Sequence, residues 1–229
     1  MVLNNGKKIP ADLVICNADP PTVYSEMLPS EYSRDSLLKP KRFTHYSMGL
    51  YVLFFGSKKK FSDVAHHTIW MSERYKELLH DIFEKKILTE DFSLYLHRPT
   101  ATDDTFAPEG CDSFYVLCPV PNLQGNVQWN SEGPKLKDRI VEALDKTIMP
   151  GLKENIEAEF WMTPEDFKND YRSKYGAGFS VAPIFSQSAW FRYHNKDKKI
   201  PNLYFSAAGS HPVSYTHLRA HENLDNRVC

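Results

Sequence analysis

The sequence predicts a mixed α/β fold in which helices cover a central sheet. Residues 44–56 form a long apolar segment with few polar side chains, which is typical of a strand buried on both faces. Residues 92–98 alternate apolar and polar side chains, which predicts a strand with one buried face. Apolar residues then recur at helical spacing from Leu136 to Ile148. Strands in the middle of the chain, with helices between and after them, indicate this fold class.

The first residues predict a hairpin and a short helix. The turn at residues 4–6, Asn-Asn-Gly, favours positive φ angles, and the apolar strand 12–16 follows it. Asp19 is expected to cap a helix whose first turn contains Pro20 and Pro21.

Further elements follow from caps and periodicity. Ser72 is expected to cap a helix that carries apolar residues up to Phe83, and residues 113–120 predict another strand. Residues 150–151, Pro-Gly, are expected to end the helix that begins near Leu136. Residues 163–166, Thr-Pro-Glu-Asp, combine a cap, a proline and an acidic first turn, which predicts a helix start.

Composition excludes several classes of function. With 28 basic and 29 acidic residues the net charge is −1, which gives no electrostatic basis for binding nucleic acid. The four cysteines lack zinc-site spacing and fit a reducing, cytoplasmic compartment. No apolar run approaches the roughly 20 residues that a membrane-spanning helix needs.

The histidines and acids give no metal site or catalytic dyad from sequence. His66 and His67 are adjacent, so in a strand they would point to opposite faces and could not form one metal site alone. We therefore expect a structural role for them and no bound metal. The sequence contains no Gly-x-Ser-x-Gly motif for hydrolase chemistry, and the catalytic residues stay unidentified.

A loop rich in aromatic and polar residues leads into a short strand near the carboxyl end. The strand, residues 203–205, is followed by small residues and a His-Pro pair, namely Ala207, Ala208, Gly209, Ser210, His211 and Pro212. Small residues at the carboxyl end of a strand let backbone amides approach a ligand closely, and phosphates favour such sites. The simpler interpretation is a strand followed by a tight turn.

This segment resembles the flavin-contacting signature of the bacterial-type phytoene desaturases, which are FAD-dependent, amine-oxidase-like flavoproteins of carotenoid biosynthesis. Seven further blocks resemble the same family in the same order: residues 10–21, 65–70, 90–103, 107–123, 132–140, 163–167 and 187–192. Beyond Pro212 the resemblance stops.

The resemblance implies FAD as cofactor and a set of candidate site residues. The expected FAD contacts are Gly209, Ser210, His211 and Pro212, together with Asn17, Ala18 and Asp19. Trp190, Phe191 and Arg192 are expected to contact substrate, because aromatic side chains suit the wall of a cavity for a long polyene. Arg192 could instead hold a loop carbonyl or face the flavin edge, and simple packing of this loop on the sheet is the alternative. The chain has Tyr193 where the family usually has proline and Tyr175 where relatives commonly have histidine.

The resemblance also implies a division into interleaved domains. Residues 1–19 and 201–212 would supply partial strands of an FAD-binding, Rossmann-like domain, and residues 20–200 would form the substrate-binding domain with its sheet and covering helices. The GxGxxG turn that seats the FAD pyrophosphate is missing, since the nearest match, residues 176–178, lacks the third glycine. We therefore expect a fragment of a longer enzyme, inactive by itself. Residues 213–229 resemble sequencing-adapter read-through and are expected to be a non-native tail.

The function that this resemblance implies is an FAD-dependent oxidoreductase that introduces C=C bonds into phytoene. The alternatives are a dehydrosqualene or later-step carotenoid desaturase, a carotenoid isomerase, or a non-catalytic remnant that binds an apolar ligand. A lipid-soluble polyene substrate implies a cytoplasmic protein that associates peripherally with the membrane surface.

Overall fold

The structure, a computed structural model, describes residues 1–29, 32 and 44–211. The expected FAD contact at Pro212 and the expected tail at 213–229 lie outside the described residues. The described residues form two compact units. We call them the sheet unit, within Ser47–Asp170 and Tyr175–Gly178, and the strand-end unit, within Met1–Tyr46, Tyr171–Lys174 and Phe179–Cys229.

The sheet unit contains a five-stranded antiparallel sheet with strand order β3-β4-β5-β2-β6. Its strands are β2 (Gly49–Ser57), β3 (His67–Trp70), β4 (Leu94–His97), β5 (Asp112–Val120) and β6 (Ile156–Met162). The strand-end unit contains β1 (Val14–Cys16), β7 (Tyr193–His194), β8 (Leu203–Phe205) and β9 (Ser210–His211).

Five α-helices and several short turns of other helix types accompany the strands in the described residues. The α-helices are α1 (Pro20–Thr22), α2 (Tyr75–His80), α3 (Trp129–Lys146), α4 (Leu152–Asn155) and α5 (Pro164–Asp170). Wider π-type turns extend α1 and α2 over Val23–Met27 and Asp81–Lys85. Short 3₁₀ turns lie at Pro99–Ala101, Asp104–Phe106, Lys174–Gly176, Phe185–Gln187 and Ala189–Phe191. None of the helices in the described residues is both long and apolar enough to cross a membrane.

One face of the sheet carries the main core. The apolar stripe of α3, with Leu136, Ile140 and Leu144 fully buried, belongs to the same core as the inward residues of the central strands, such as Leu53 and Val116. Tyr51 adds a polar link, because its hydroxyl donates a hydrogen bond to the carbonyl oxygen of Gly133 at 2.9 Å. The expected mixed α/β class, a sheet covered by helices, is confirmed.

The sequence patterns behind the sheet hold in detail. In β2, residues 49–53 are all buried, which matches a strand with apolar neighbours on both faces. In β4, Leu94 and Leu96 are buried while Tyr95 and His97 are only partly so, as the alternation predicts. At the start of α5, both the N–H and the hydroxyl of Thr163 donate to the Asp166 carboxylate, at 2.6 and 2.8 Å, which forms the expected cap.

One local prediction turns out differently. The Asp19 carboxylate does not cap α1 but accepts hydrogen bonds from Ser180 and from the backbone N–H of Lys174. Gly176 and Gly178 serve packing: a Cβ would lie 2.1 Å from the Pro164 carbonyl oxygen at Gly176, and 2.3 Å from the Leu50 side chain at Gly178.

A buried ion pair connects the loop before β3 and the residues after β4 to the first residue of β5. The Arg98 Nε lies 3.1 and 3.0 Å from the two carboxylate oxygens of Asp112, and both side chains are almost completely buried. The same carboxylate accepts from the Phe61 N–H at 2.7 Å and the Thr100 hydroxyl at 2.5 Å. Arg98 also donates to the Val64 carbonyl oxygen at 3.0 Å. The ion pair therefore holds together the loop before β3, the residues after β4 and the start of β5.

Replacing Asp112 should destabilise the sheet unit strongly. Asp112→Ala leaves the Arg98 guanidinium buried without its counter-charge, so we expect a loss of about 3–5 kcal/mol in the free energy of unfolding. Urea denaturation followed by circular dichroism measures it.

The matched control is Asp104→Ala. Its carboxylate pairs with Lys60 at 2.9 Å but is 80% exposed, so a change within about 0.5 kcal/mol is expected. Equal losses in the two variants would contradict the importance of the buried pair.

Candidate functional site

The two segments expected to contact FAD lie at the same end of a parallel strand pair. β1 and β8 pair in parallel, with Val14 opposite Leu203 and Cys16 opposite Phe205. Residues 17–19 follow β1 directly, and residues 206–211 follow β8. Because the carboxyl ends of parallel strands meet at one edge, the structure brings both predicted segments together, as ligand sites in open α/β sheets require.

The turn after β8 is compact and held by hydrogen bonds between Ser210 and Ala207. The Ser210 hydroxyl donates to the Ala207 carbonyl oxygen at 2.7 Å and accepts from the Ala207 N–H at 3.2 Å, and Ser210 is fully buried. Gly209 is required for close approach, since a Cβ there would lie 2.5 Å from the Ser180 hydroxyl oxygen and 3.2 Å from an Asp19 carboxylate oxygen. Ala208, which lies between Ala207 and Gly209 in this turn, is exposed.

Asp19 is the buried acid of this edge. Its side chain is only 9% exposed. Its carboxylate accepts from the Ser180 hydroxyl and, at 3.1 Å, from the Lys174 N–H. Burial raises the pKa of Asp19 above its ordinary value, and these hydrogen bonds together with the nearby positive charge of Arg192 only partly offset that rise. Its neighbours differ in burial: Ala18 is half-buried and Asn17 is exposed.

Arg192 connects the turn after β8 to a neighbouring loop. Its Nη2 donates to the carbonyl oxygens of Phe179, Val181 and Ala208, at 3.1, 3.2 and 2.9 Å. Arg192 therefore holds loop carbonyl groups, which is one of the roles that the sequence left open for it. Its Nε is buried and has no hydrogen-bonding partner within the part of the chain that the structure describes.

The aromatic residues before Arg192 lie on the surface of the strand-end unit. Trp190 is 70% exposed and Phe191 50% exposed. The Trp190 ring meets the His194 ring edge-on, with centroids 4.7 Å apart. β7 pairs in parallel with β9, which places His194 opposite His211. Aromatic side chains thus accompany the His211 segment, and their contact with a substrate stays a prediction.

The second face of the five-stranded sheet carries an aromatic row that the sequence reasoning missed. Its members, one from each strand, are Phe160, Phe54, Tyr115, Tyr95 and His67. Phe160, Phe54 and Tyr115 lie directly opposite one another, whereas Tyr95 is two residues along β4 from His97, the residue opposite both Tyr115 and His67. Successive ring centroids lie 4.5, 5.9, 5.9 and 5.9 Å apart. With strands about 4.8 Å apart, the row extends over roughly 19 Å. The signal was present in the alternation of each strand, but only the pairing of the strands brings the rings next to one another.

The expectation that His66 and His67 point to opposite faces is wrong. His66 lies in a bend immediately before β3, so the alternation of a strand does not apply to it. The two rings lie on the same side with centroids 4.3 Å apart, and His97 from β4 joins them at 4.7 Å from the His66 ring.

Comparison with curated proteins identifies relatives over almost the whole chain. The chain is 44% identical over 214 residues to the lycopene-forming phytoene desaturase of Pantoea ananas, covering 92% of this chain and 43% of the relative. It is 44% identical over 218 residues to the neurosporene-forming phytoene desaturase of Rhodobacter capsulatus, covering 92% and 41%. The zeta-carotene-forming phytoene desaturase of Myxococcus xanthus is 35% identical over 211 residues, covering 92% and 40%.

These relatives define a class of carotenoid-forming desaturases, and the resemblance seen in the sequence blocks is confirmed. The chain belongs to the bacterial phytoene desaturase family, and it spans less than half the length of the curated relatives that it matches.

Other comparisons add little. No protein-family model matches the chain. Among solved structures, an oxidoreductase from Methanosarcina mazei aligns with 93% of this chain and 43% of its own, at 13% identity and a TM-score of 0.48, which is too low to support an argument.

The buried Asp19 predicts a specific pH dependence of stability. Because its folded-state pKa is raised, the proton on Asp19 stabilises the fold below the ordinary aspartate pKa, and that contribution is lost as the pH rises through the folded value. Asp19→Asn removes this titration. The melting temperature of the variant, relative to wild type, should therefore rise as the pH increases above the ordinary aspartate pKa of about 4.

Other carboxylates titrate in both proteins and cancel in the difference. Asp12→Asn, at an exposed position of the same unit, is the control and should show a difference that changes little with pH. A difference for Asp19→Asn that is constant, or that falls with rising pH, would contradict the assigned burial effect.

Proposed function

We propose that this chain is the substrate-domain and strand-end part of an FAD-dependent phytoene desaturase that introduces C=C bonds into a lipid-soluble polyene. The observation that carries the proposal is the joint position of residues 17–19 and 206–211 at the carboxyl ends of β1 and β8. Identity to named phytoene desaturases over 92% of the chain supports the choice of reaction.

The residues at this edge fit a dinucleotide cofactor. Ala208 and Asn17 are exposed where the strands end, the neighbouring residues are small, and the buried Nε of Arg192 is a donor without a described partner. FAD, when bound, supplies the acceptor for the hydride and the proton removed from each CH–CH bond. Asn17, Ala18, Asp19, Gly209, Ser210 and His211 would hold one side of it, while Arg192 keeps the turn after β8 in place through the Ala208 carbonyl.

The aromatic row is the surface that suits the substrate. Phytoene is a hydrocarbon without charge or polar groups, so the protein must hold it by apolar contact and not by hydrogen bonds, and must exclude water. A line of rings over roughly 19 Å offers a continuous apolar track for an elongated chain. In the strand-end unit, taken by itself, the exposed Trp190 and Phe191 are the aromatic residues proposed for substrate contact.

Access to such a substrate requires contact with lipid. We propose peripheral association of the whole protein with the cytoplasmic membrane surface, because a water-insoluble polyene is delivered from the bilayer.

A chimeric enzyme tests the function. Residues 1–211 replace the matched segment of the Pantoea ananas desaturase, and the chimera is expressed in phytoene-accumulating cells. Coloured, more conjugated products identified by chromatography are the expected result, with the parent gene and an empty vector as controls. A folded chimera that retains FAD but leaves phytoene unchanged would contradict the proposal.

A matched pair of variants in the chimera tests the aromatic row. Phe160 lies on the row and is 58% exposed, whereas Phe106 lies off it and is 61% exposed. Phe160→Ser removes apolar contact with the polyene and should raise the apparent KM about tenfold, since burying part of an aromatic ring is worth about 1.5 kcal/mol. Phe106→Ser should leave KM unchanged. Equal effects of the two substitutions would show that the row does not contact the substrate.

A further inference from the structure

Three imidazoles meet where β3 and β4 pair at the edge of the five-stranded sheet. His67 and His97 are directly opposite each other across the two strands, and His66 precedes β3 by one residue. One ring nitrogen from each histidine lies within 4.8 Å of the other two. They come from two segments that the sheet holds rigidly, because the Arg98 N–H donates to the His66 carbonyl at 2.9 Å.

Contacts on the outer side of two rings fix their orientation. The His67 Nδ1 lies 2.7 Å from the Tyr95 hydroxyl oxygen, and the His66 Nδ1 contacts the Thr102 hydroxyl. When a hydroxyl receives the N–H of Nδ1, the lone pair of Nε2 on the same ring is available to a cation. This is the arrangement in which metal-binding histidines are held by an outer shell of oxygen acceptors.

The inner nitrogens of two of the rings face each other. The Nε2 atoms of His66 and His97 lie 2.8 Å apart, so without a metal ion one of them must donate a proton to the other in an N–H···N hydrogen bond. The Nδ1 of His97 is buried without a hydrogen-bonding partner among residues 1–29, 32 and 44–211. A hydrogen bond between the two rings therefore leaves His97 incompletely satisfied, whichever tautomer it adopts.

We propose that His66, His67 and His97 form a binding site for a divalent transition-metal ion, with Zn²⁺ as the preferred ion. Three neutral imidazoles with one open position are a common donor set for zinc, and nitrogen ligands favour it over calcium or magnesium. Zinc–nitrogen bonds of about 2.0–2.1 Å place tetrahedral ligand atoms about 3.3 Å apart. The three ring nitrogens already lie within 4.8 Å of one another, so small rotations of the side chains would bring them to that spacing. The site stands on the sheet unit alone and does not depend on the proposed desaturase function.

Zinc titration of the purified 229-residue chain against a competing chelator tests the site. We expect binding of one Zn²⁺ per chain that is weakened at least tenfold by His67→Ala and by His97→Ala. His80→Ala, at an exposed histidine of the same unit outside the cluster, should bind as wild type does. Tyr95→Phe removes only the outer contact to His67 and should weaken binding about tenfold.

A second measurement on the unmodified chain guards against variants that do not fold. Co²⁺ in place of Zn²⁺ should give the visible absorption of a tetrahedral site, and added Zn²⁺ should abolish it. His67 is exposed, so His67→Ala is expected to keep the circular dichroism spectrum of wild type. If wild type binds Zn²⁺ no more tightly than His67→Ala, or Co²⁺ gives only the spectrum of the hydrated ion, the proposed site is wrong.

Discussion

Parallel pairing of β1 with β8 is the constraint on which the candidate cofactor edge depends. The two strands come from opposite ends of the described chain, and only their alignment places residues 17–19 beside the turn that follows β8. Packing then fixes the edge: Gly209 approaches Ser180 and Asp19 more closely than any other residue type could. Arg192 completes it by holding three carbonyl oxygens with one guanidinium nitrogen. Loss of any of these contacts would separate groups that are far apart in sequence.

The sheet unit separates stability from recognition by using the two faces of one sheet. One face is closed by α3 over an apolar core, and the Asp112–Arg98 pair secures the loops at the sheet end. The other face carries the aromatic row. The row ends at His67, where the cluster of three histidines begins, so a metal ion there would lie beside the track proposed for the polyene.

Local patterns in the sequence were sufficient for the strands, helix starts and family. Alternation in residues 92–98 and the Thr163 cap depend on neighbours a few residues away, and both appear as expected. The seven blocks identified the family because each preserves side chains in a fixed order. These features need no knowledge of long-range contacts.

Long-range contacts account for what the sequence could not show. Asp19 has the residue type and position of a helix cap, yet its partner Ser180 is distant in sequence and competes successfully for the carboxylate. The histidine cluster was missed because a bend before β3 breaks the alternation, and because His97 becomes a neighbour only through strand pairing. The aromatic row likewise exists only through the pairing of five strands. The assignment of residues 1–19, 20–200 and 201–212 to flavin and substrate domains stays a prediction. The first boundary between the two compact units lies after Tyr46.

The most direct test of the central claim is the FAD content of the chimera with a charge added at the edge. Ala208 is exposed in the turn after β8, and Ala101 is an exposed alanine of the sheet unit. A glutamate at position 208 would repel the cofactor's pyrophosphate without disturbing a buried contact. Flavin absorbance after gel filtration should show that Ala208→Glu loses FAD while Ala101→Glu retains it. Equal, stoichiometric FAD in both purified variants would contradict the placement of the cofactor at the carboxyl ends of β1 and β8.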